Sequence, residues 1–228
     1  MSQDAFIAPA CSESVEILYE DDDILLINKP SGLLSLSGRN PRNRDSLHYR
    51  LVNGQKGVSP AFREAKLPHR LDFGTSGVMV VALHAQAASH LNKQFQKRAV
   101  AKTYVAILEG WVADDRGVIE AAIAKSEKRF EPVRICTING KQAISEYRVL
   151  ERLDNPRRTL VEFKPRTGRT HQLRIHSWFL GHPILGCDLY KNARSERMAK
   201  RLQLHARDLF FEHPSTGQTM HGHSAFQE

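Results

Sequence analysis

At 228 residues, with 33 Lys and Arg against 25 Asp and Glu and a net charge of +8, the chain suits one large domain or two small ones and a polyanionic partner, most simply nucleic acid. Its cysteines, Cys11, Cys136 and Cys187, are odd in number and far apart with no C-x-x-C pair, which argues against a disulfide framework or a zinc knuckle. No apolar run nears the ~20 residues a membrane helix needs and Met1–Asp4 does not open a signal peptide, so no membrane partner and a reducing cytoplasm are the expectation.

Residues 1–14 are small and polar and read as a loose arm; residues 15–228 read as one domain. Val15–Tyr19 alternates as a strand, Asp21-Asp22-Asp23 turns it, and Ile24–Ile27 returns as a buried strand. In Asn28-Lys29-Pro30-Ser31-Gly32, Lys29 reads equally as a phosphate contact or a solvated turn lysine. Residues 38–67 carry Arg39, Arg42, Arg44, Arg50, Lys56, Arg63 and Lys66, with a short helix near Leu47–Leu51. Such a stretch is either a solvated loop or a flap that contacts nucleic acid, and so many cations favour the flap.

Pro68–Gly77 forms a tight loop ahead of Val78-Met79-Val80-Val81-Ala82-Leu83, a short β-branched run that reads as a strand buried on both faces. Asp72 is thereby braced by a core strand; on local chemistry alone it is either a reacting group or a turn aspartate. Ala88, Leu91 and Phe95 recur at helical spacing over about 86–98, and Lys102–Leu108 is a strand with Tyr104 and Ala106 on one face. Val118–Glu120 is a further strand, Asn139-Gly140 signals a hairpin, and Ala143–Leu150 and Thr159–Lys164 alternate. Thr170 is placed to cap a helix running to Leu180 with Gly181 as its stop. Met198 and Leu202 suggest a short helix; Leu204–Ala206 and Leu209–Phe211 read as late strands. Consecutive strands with few helices make this an α+β chain with a mixed, largely antiparallel sheet.

Arg70-Leu71-Asp72 followed by Thr75-Ser76-Gly77 resembles the signature of the RluA family of pseudouridine synthases. Lys102-Thr103-Tyr104-Val105-Ala106 resembles the family's second motif, and Gly168-Arg169-Thr170-His171-Gln172-Leu173-Arg174-Ile175-His176 its third, followed by Gly181-His182-Pro183-Ile184-Leu185-Gly186. The opening Tyr19–Asp22 and Asn28–Gly32 also fit, so the likeness runs from about Val15 to His213. It implies the pseudouridine synthase fold, a sheet split by a central RNA-binding cleft, with no appended RNA-binding module ahead of the first motif.

The resemblance also implies the chemistry. Pseudouridine formation breaks the uracil N1–ribose bond and remakes it to C5; the product is an isomer, so no cofactor is expected. By the family pattern Asp72 is the catalytic carboxylate, Arg174 lies beside it as its cationic partner, and Tyr104 stacks on the target base. An arginine fork suits a carboxylate, whereas a sheet tyrosine in the core is the alternative for Tyr104. RNA-binding positions would be Arg70, filling the space of an extruded nucleotide, Arg169 near a helix N-terminus, Lys102, His171 and Leu204, the last also readable as plain core. Extrusion is required because stacking hides the reacting atoms. The expected partner is an rRNA or tRNA stem-loop and the expected state a monomer. Two departures stand out: Cys187 occupies the place of a usual Asp, leaving either Asp188 or a shifted backbone to take its structural role, and Met220–Ser224 replaces an apolar-Ala-Pro ending, so the last strand is expected to fray. His221 and His223 have no acidic neighbour in the sequence, so no metal is expected.

Overall fold

A computed structural model describes residues 6–55, 61–126 and 132–228. In chain order they form β1 (Glu16–Glu20), β2 (Ile24–Lys29), α1 (Leu47–Asn53), β3 (Ser76–Ala82), α2 (Ala85–Gln96) and β4 (Ala101–Glu109). Then follow β5 (Arg116–Glu120), β6 (Ile123–Lys125), β7 (Val133–Ile135), β8 (Ile144–Leu153), β9 (Arg158–Pro165), α3 (Gln172–Phe179), β10 (Leu204–Glu212) and β11 (Thr219–His223). The α+β class agrees with the expectation. The described residues fall into two compact units: one runs to Lys102 and takes back Ala206–Gln227, and the other is Thr103–His205 with Glu228.

In the first unit, Asp21 Oδ1 accepts the backbone N–H groups of Asp23 and Ile24, both at 2.9 Å, which closes the turn between β1 and β2. β2 is antiparallel to β1 and to β3. Every residue of β3 is buried, as its unbroken apolar run requires. β10 lies beside β3, and β11 pairs antiparallel with β10. Gly77 sets this spacing: at φ +120° a Cβ there would stand 2.2 Å from the Ala206 carbonyl oxygen. Ala87, Ala88 and Leu91 of α2 pack on Ile24, Leu26, Val78, Val80, Leu209 and Phe211. Residues 6–14, where composition suggests a loose arm, carry specific contacts. Ala8 N–H donates to Asn43 Oδ1, and the buried Arg50 donates to the carbonyls of Cys11 and Glu13.

In the second unit, β4, β9, β8 and β5 follow one another antiparallel, and β6 pairs with β7. Asn139-Gly140 turns the chain but joins no two paired strands; Lys141 returns against Ile123 of β6, the strand β7 already pairs. No helix forms around Met198–Leu202. The Gln203 backbone is drawn instead into extended bonding, its N–H donating to Leu185 and its carbonyl accepting from Ile107. The end of the chain does not fray either, since all five residues of β11 are paired.

Candidate active site

The Asp72 loop belongs to the first unit and is held from the segment that follows β2. Ser35 Oγ donates to the Leu71 carbonyl and accepts the Leu71 N–H; Ser31 Oγ donates to the Gly74 carbonyl; the Gly32 N–H donates to the Phe73 carbonyl at 2.9 Å. Beneath them Lys29 is fully buried, and its Nζ donates to the carbonyls of Pro30 at 2.8 Å, Leu33 at 2.7 Å and Phe73 at 3.4 Å. Neither reading of Lys29 from sequence survives: a cation that is wholly buried is neither a phosphate contact nor a solvated turn residue. Burial pulls its pKa down to about 7, against the Cys11 thiol and the Asp72 carboxylate, which favour the charged form. Asp72 itself is half-buried, and its carbonyl accepts the Thr75 N–H.

The loop is fixed from its other end by His69. The ring stacks on Phe95 with centroids 4.6 Å apart, and Nε2 accepts the Val80 N–H. Loss of solvation, then the charge of Lys102, depress its pKa to about 3. Lys102, at the start of β4, is itself lowered by burial. Arg70 is exposed. Of the basic residues in 38–67, Arg39, Arg42, Arg44, Arg63 and Lys66 are exposed, and Lys56 lies outside the described residues. Arg50 is corrected: it is fully buried, with Nε and Nη2 on the Asp45 carboxylate.

The remaining site residues belong to the second unit. Tyr104 on β4 stands opposite Phe163 of β9 and is partly buried against the core that holds Leu173, Ile175 and Leu204. Leu204, 3% exposed, is thus a core leucine in this unit. Arg174 is buried within α3; its Nη2 donates to Asp188 and, at 3.6 Å, to the Cys187 sulfur, and its guanidinium lies 5.6 Å from the Tyr190 ring centre. Of the two alternatives for the place of the usual Asp, the Asp188 side chain is the one in contact with Arg174.

The helix start differs from expectation. Its N-cap is His171, not Thr170, in the left-handed region at φ 54° and without a side-chain cap. Gln172, the first helical residue, bonds back to the incoming chain instead: its Oε1 accepts the Arg169 N–H and the Thr167 hydroxyl. Gln172 Nε2 donates on to Ser145 Oγ, which meets His176 Nδ1 at 3.0 Å, while His176 Nε2 lies 2.9 Å from the Ala121 carbonyl. Burial lowers the His176 pKa, and the neutral ring that results suits one donor and one acceptor nitrogen. This rail fixes the helix that carries Arg174. His171 Nδ1 reaches the Tyr190 hydroxyl at 3.2 Å, and Arg169 is half-buried with its Nε on the Gln142 carbonyl.

The structure thus brings His171 and Arg174 together on Tyr190, and Tyr104 and Leu204 into one core, while Asp72, Arg70 and Lys102 belong to the first unit. His69, Gln172 and Tyr190 are residues sequence reasoning passed over, and Lys29 is one it misread. The partners that matter, Phe73 for Lys29, Val80 for His69 and Ser145 for Gln172, lie too far along the chain to be read locally.

The chain matches the family model of RNA pseudouridylate synthase over residues 23–177. It is 43% identical over 205 residues to the dual-specificity RNA pseudouridine synthase RluA of Yersinia pestis, covering 90% of this chain and 96% of that one. The protein of the same description from Escherichia coli is 41% identical, covering 90% of each. Among solved structures, human RNA pseudouridylate synthase domain containing 1 superposes with a TM-score of 0.76 at 30% identity, covering 95% of this chain and 85% of that one.

Proposed function

The chain belongs to the RNA pseudouridylate synthase family, and we propose that it isomerises particular uridines to pseudouridine in stem-loops of 23S rRNA, of tRNA or of both. It is an isomerase rather than a non-catalytic RNA-binding protein of the same fold. One observation carries the chemical reading: Asp72 stands in a loop whose flanking carbonyls at Leu71, Phe73 and Gly74 are all bonded from the 29–35 segment. Holding a reacting group to that degree is a means of preorganisation. The choice of rRNA and tRNA rests on the dual specificity named for relatives 41% to 43% identical.

In this reading the N1–C1′ bond of uridine breaks, the base turns within the pocket, C5 bonds to C1′, and the C5 proton leaves as N1 gains one. Asp72 supplies an ionised carboxylate; attack on the base, attack on the ribose and removal of a ribose proton are all routes open to it. Tyr104 offers a face for the base, Arg174 a guanidinium for the carboxylate, and Arg70 a side chain to fill the gap left by the extruded nucleotide. Arg169, Lys102 and His171 would contact the RNA backbone. A monomer in the cytoplasm belongs to the same reading, and three free cysteines agree with a reducing compartment.

The test is release of tritium from a hairpin RNA carrying uridine tritiated at C5. Wild-type protein should release it with no free uracil, and Asp72→Asn, which is isosteric and removes only the charge, should release less than a few per cent as much while melting at the same temperature. Substantial turnover by Asp72→Asn would remove Asp72 from this role.

A further inference from the structure

His221 and His223 were set aside in the sequence for want of an acidic neighbour, and strand pairing supplies one. In the β10–β11 ladder Asp208 stands opposite His223, and Phe210 opposite His221. Alternation puts both histidines on one face of β11. Gly222 between them faces the core, where a Cβ would come within 2.9 Å of Val78 Cγ2 and 3.1 Å of Leu26 Cδ2. A register slip would drive an imidazole into that packing, so the two rings are committed to the solvent side, 46% and 53% exposed. There Asp208 Oδ1 lies 2.9 Å from His221 Nε2 and 2.8 Å from His223 Nδ1.

We propose that Asp208, His221 and His223 form a binding site for a divalent transition-metal ion of the Zn2+ or Cu2+ class, which clamps the C-terminal strand to its neighbour. Two imidazole nitrogens and one carboxylate oxygen are the donor set these ions prefer, and one that Mg2+ and Ca2+ do not. The three ligand atoms already lie within 4.8 Å of one another. Tetrahedral bonds of about 2.0–2.1 Å separate ligand atoms by roughly 3.3 Å, so the carboxylate oxygen, now 2.9 Å and 2.8 Å from the two nitrogens, withdraws from each by a few tenths of an ångström. Surrounding groups hold the ligands in place: Arg207 Nε bonds the other carboxylate oxygen at 2.7 Å, and the His221 ring lies flat on Phe210 with centroids 4.1 Å apart. The Arg207 charge weakens the site relative to a free carboxylate, and the fourth position is open to water.

The other grouping of this kind, Asp21, Asp23 and His213, shows what distinguishes the first. His213 Nδ1 accepts the N–H groups of Ser215 and Thr216, so its proton sits on Nε2, which donates to Asp21 Oδ2 at 2.9 Å. No lone pair is left there for an ion. At His221 and His223, among the described residues, the ring nitrogen turned away from Asp208 has no protein partner, so it can carry the proton and leave the facing nitrogen bare. Metal and hydrogen bond compete for the same nitrogens, and the ion wins only if it binds better than two imidazole–carboxylate bonds.

The experiment is calorimetric titration of the metal-free full chain with ZnCl2, repeated with Co2+ to read its visible absorption. One equivalent should bind, with tetrahedral Co2+ absorption and a Tm that rises with Zn2+. His221→Gln and His223→Gln should each weaken it about ten-fold or more, and the double variant should lose the stoichiometric site and the Zn2+-dependent rise in Tm. Both side chains are half exposed, so the metal-free double variant should melt close to wild type, which separates lost binding from lost folding. Absence of saturable binding, or one equivalent still bound by the double variant through the chain's other histidines, overturns the proposal.

Discussion

The ammonium of Lys29 donates to three carbonyl oxygens, and one of them, that of Phe73, is the peptide that follows Asp72. A methionine fits the same channel but donates nothing, leaving the carbonyls of Pro30 and Leu33 without their donor at about 1–3 kcal/mol each, while that of Phe73 keeps the Gly32 N–H. Lys29→Met should therefore lower Tm and reduce kcat together, because the loop carrying Asp72 loses its floor. Lys29→Arg should not restore activity, since a planar fork does not fit a cage built for a point charge. Unchanged kcat in a folded Lys29→Met would mean that the serine and backbone bonds hold the loop unaided. His69 makes a prediction of opposite chemistry. Its folded pKa of about 3 lies below the ordinary 6.5, so between those values the unfolded chain binds the extra proton. The stability His69 contributes is whole above pH 6.5 and is lost as pH falls toward 3. His69→Gln keeps an acceptor for the Val80 N–H but cannot titrate, so its Tm should fall less over that window than that of the wild type; parallel curves would show the imidazole protonating freely in the fold.

Among elements, β3 is the best test of what packing demands. Gly77 combines a positive φ with backbone at 2.2 Å, whereas Gly217 has a positive φ of 69° and nothing within 4 Å of a built Cβ. Left-handed backbone costs a non-glycine residue roughly 1–2 kcal/mol, and Gly217→Ala should lose no more than that. Gly77→Ala should lose several kcal/mol in denaturant unfolding, because β10 must move or the chain must twist; equal losses would mean that β10 yields easily. The same strands mark what was legible in the sequence. The apolar run Val78–Leu83, the alternation of Tyr104 and Ala106, and the stop at Gly181 are local patterns with a local cause, and they were readable. For the site, the motifs name Asp72 and Arg174 as candidates, and tritium release by the Asp72→Asn variant is what tests the first of them. The N-cap at His171 was not readable, because the chain enters the helix through a left-handed residue with no side-chain cap, and Gln172 bonds back to the Arg169 N–H ahead of it. Nor was the floor under Asp72, since Lys29 and Phe73 stand 44 residues apart. Asp208 and His223 meet only through the β10–β11 ladder.

At the scale of the whole chain, a charge of +8 says that binding RNA should release counterions, but not which cations do it. Burial sorts them. Arg39, Arg42, Arg44 and Arg63 are exposed, while Arg50 is fully buried on Asp45 and the carbonyls of Cys11 and Glu13. An exposed arginine that meets a phosphate contributes about 0.7–0.9 to the slope of log K against log salt; an internal one contributes nothing to it. Binding of a hairpin RNA should therefore weaken steeply with monovalent salt. Arg42→Gln and Arg44→Gln should each flatten the slope by somewhat under one unit while leaving Tm close to wild type. Arg50→Gln should do the reverse, keeping the slope and lowering Tm, because Asp45 and two carbonyls lose their donor. A slope that ignores salt, or one that Arg42 and Arg44 leave unchanged, would move the RNA off the 38–67 segment and onto the cations that follow β3. Measured as filter-binding isotherms at several salt concentrations, with Arg50→Gln as the internal control, the experiment reads the footprint of the RNA on the protein without needing to know which uridine it carries.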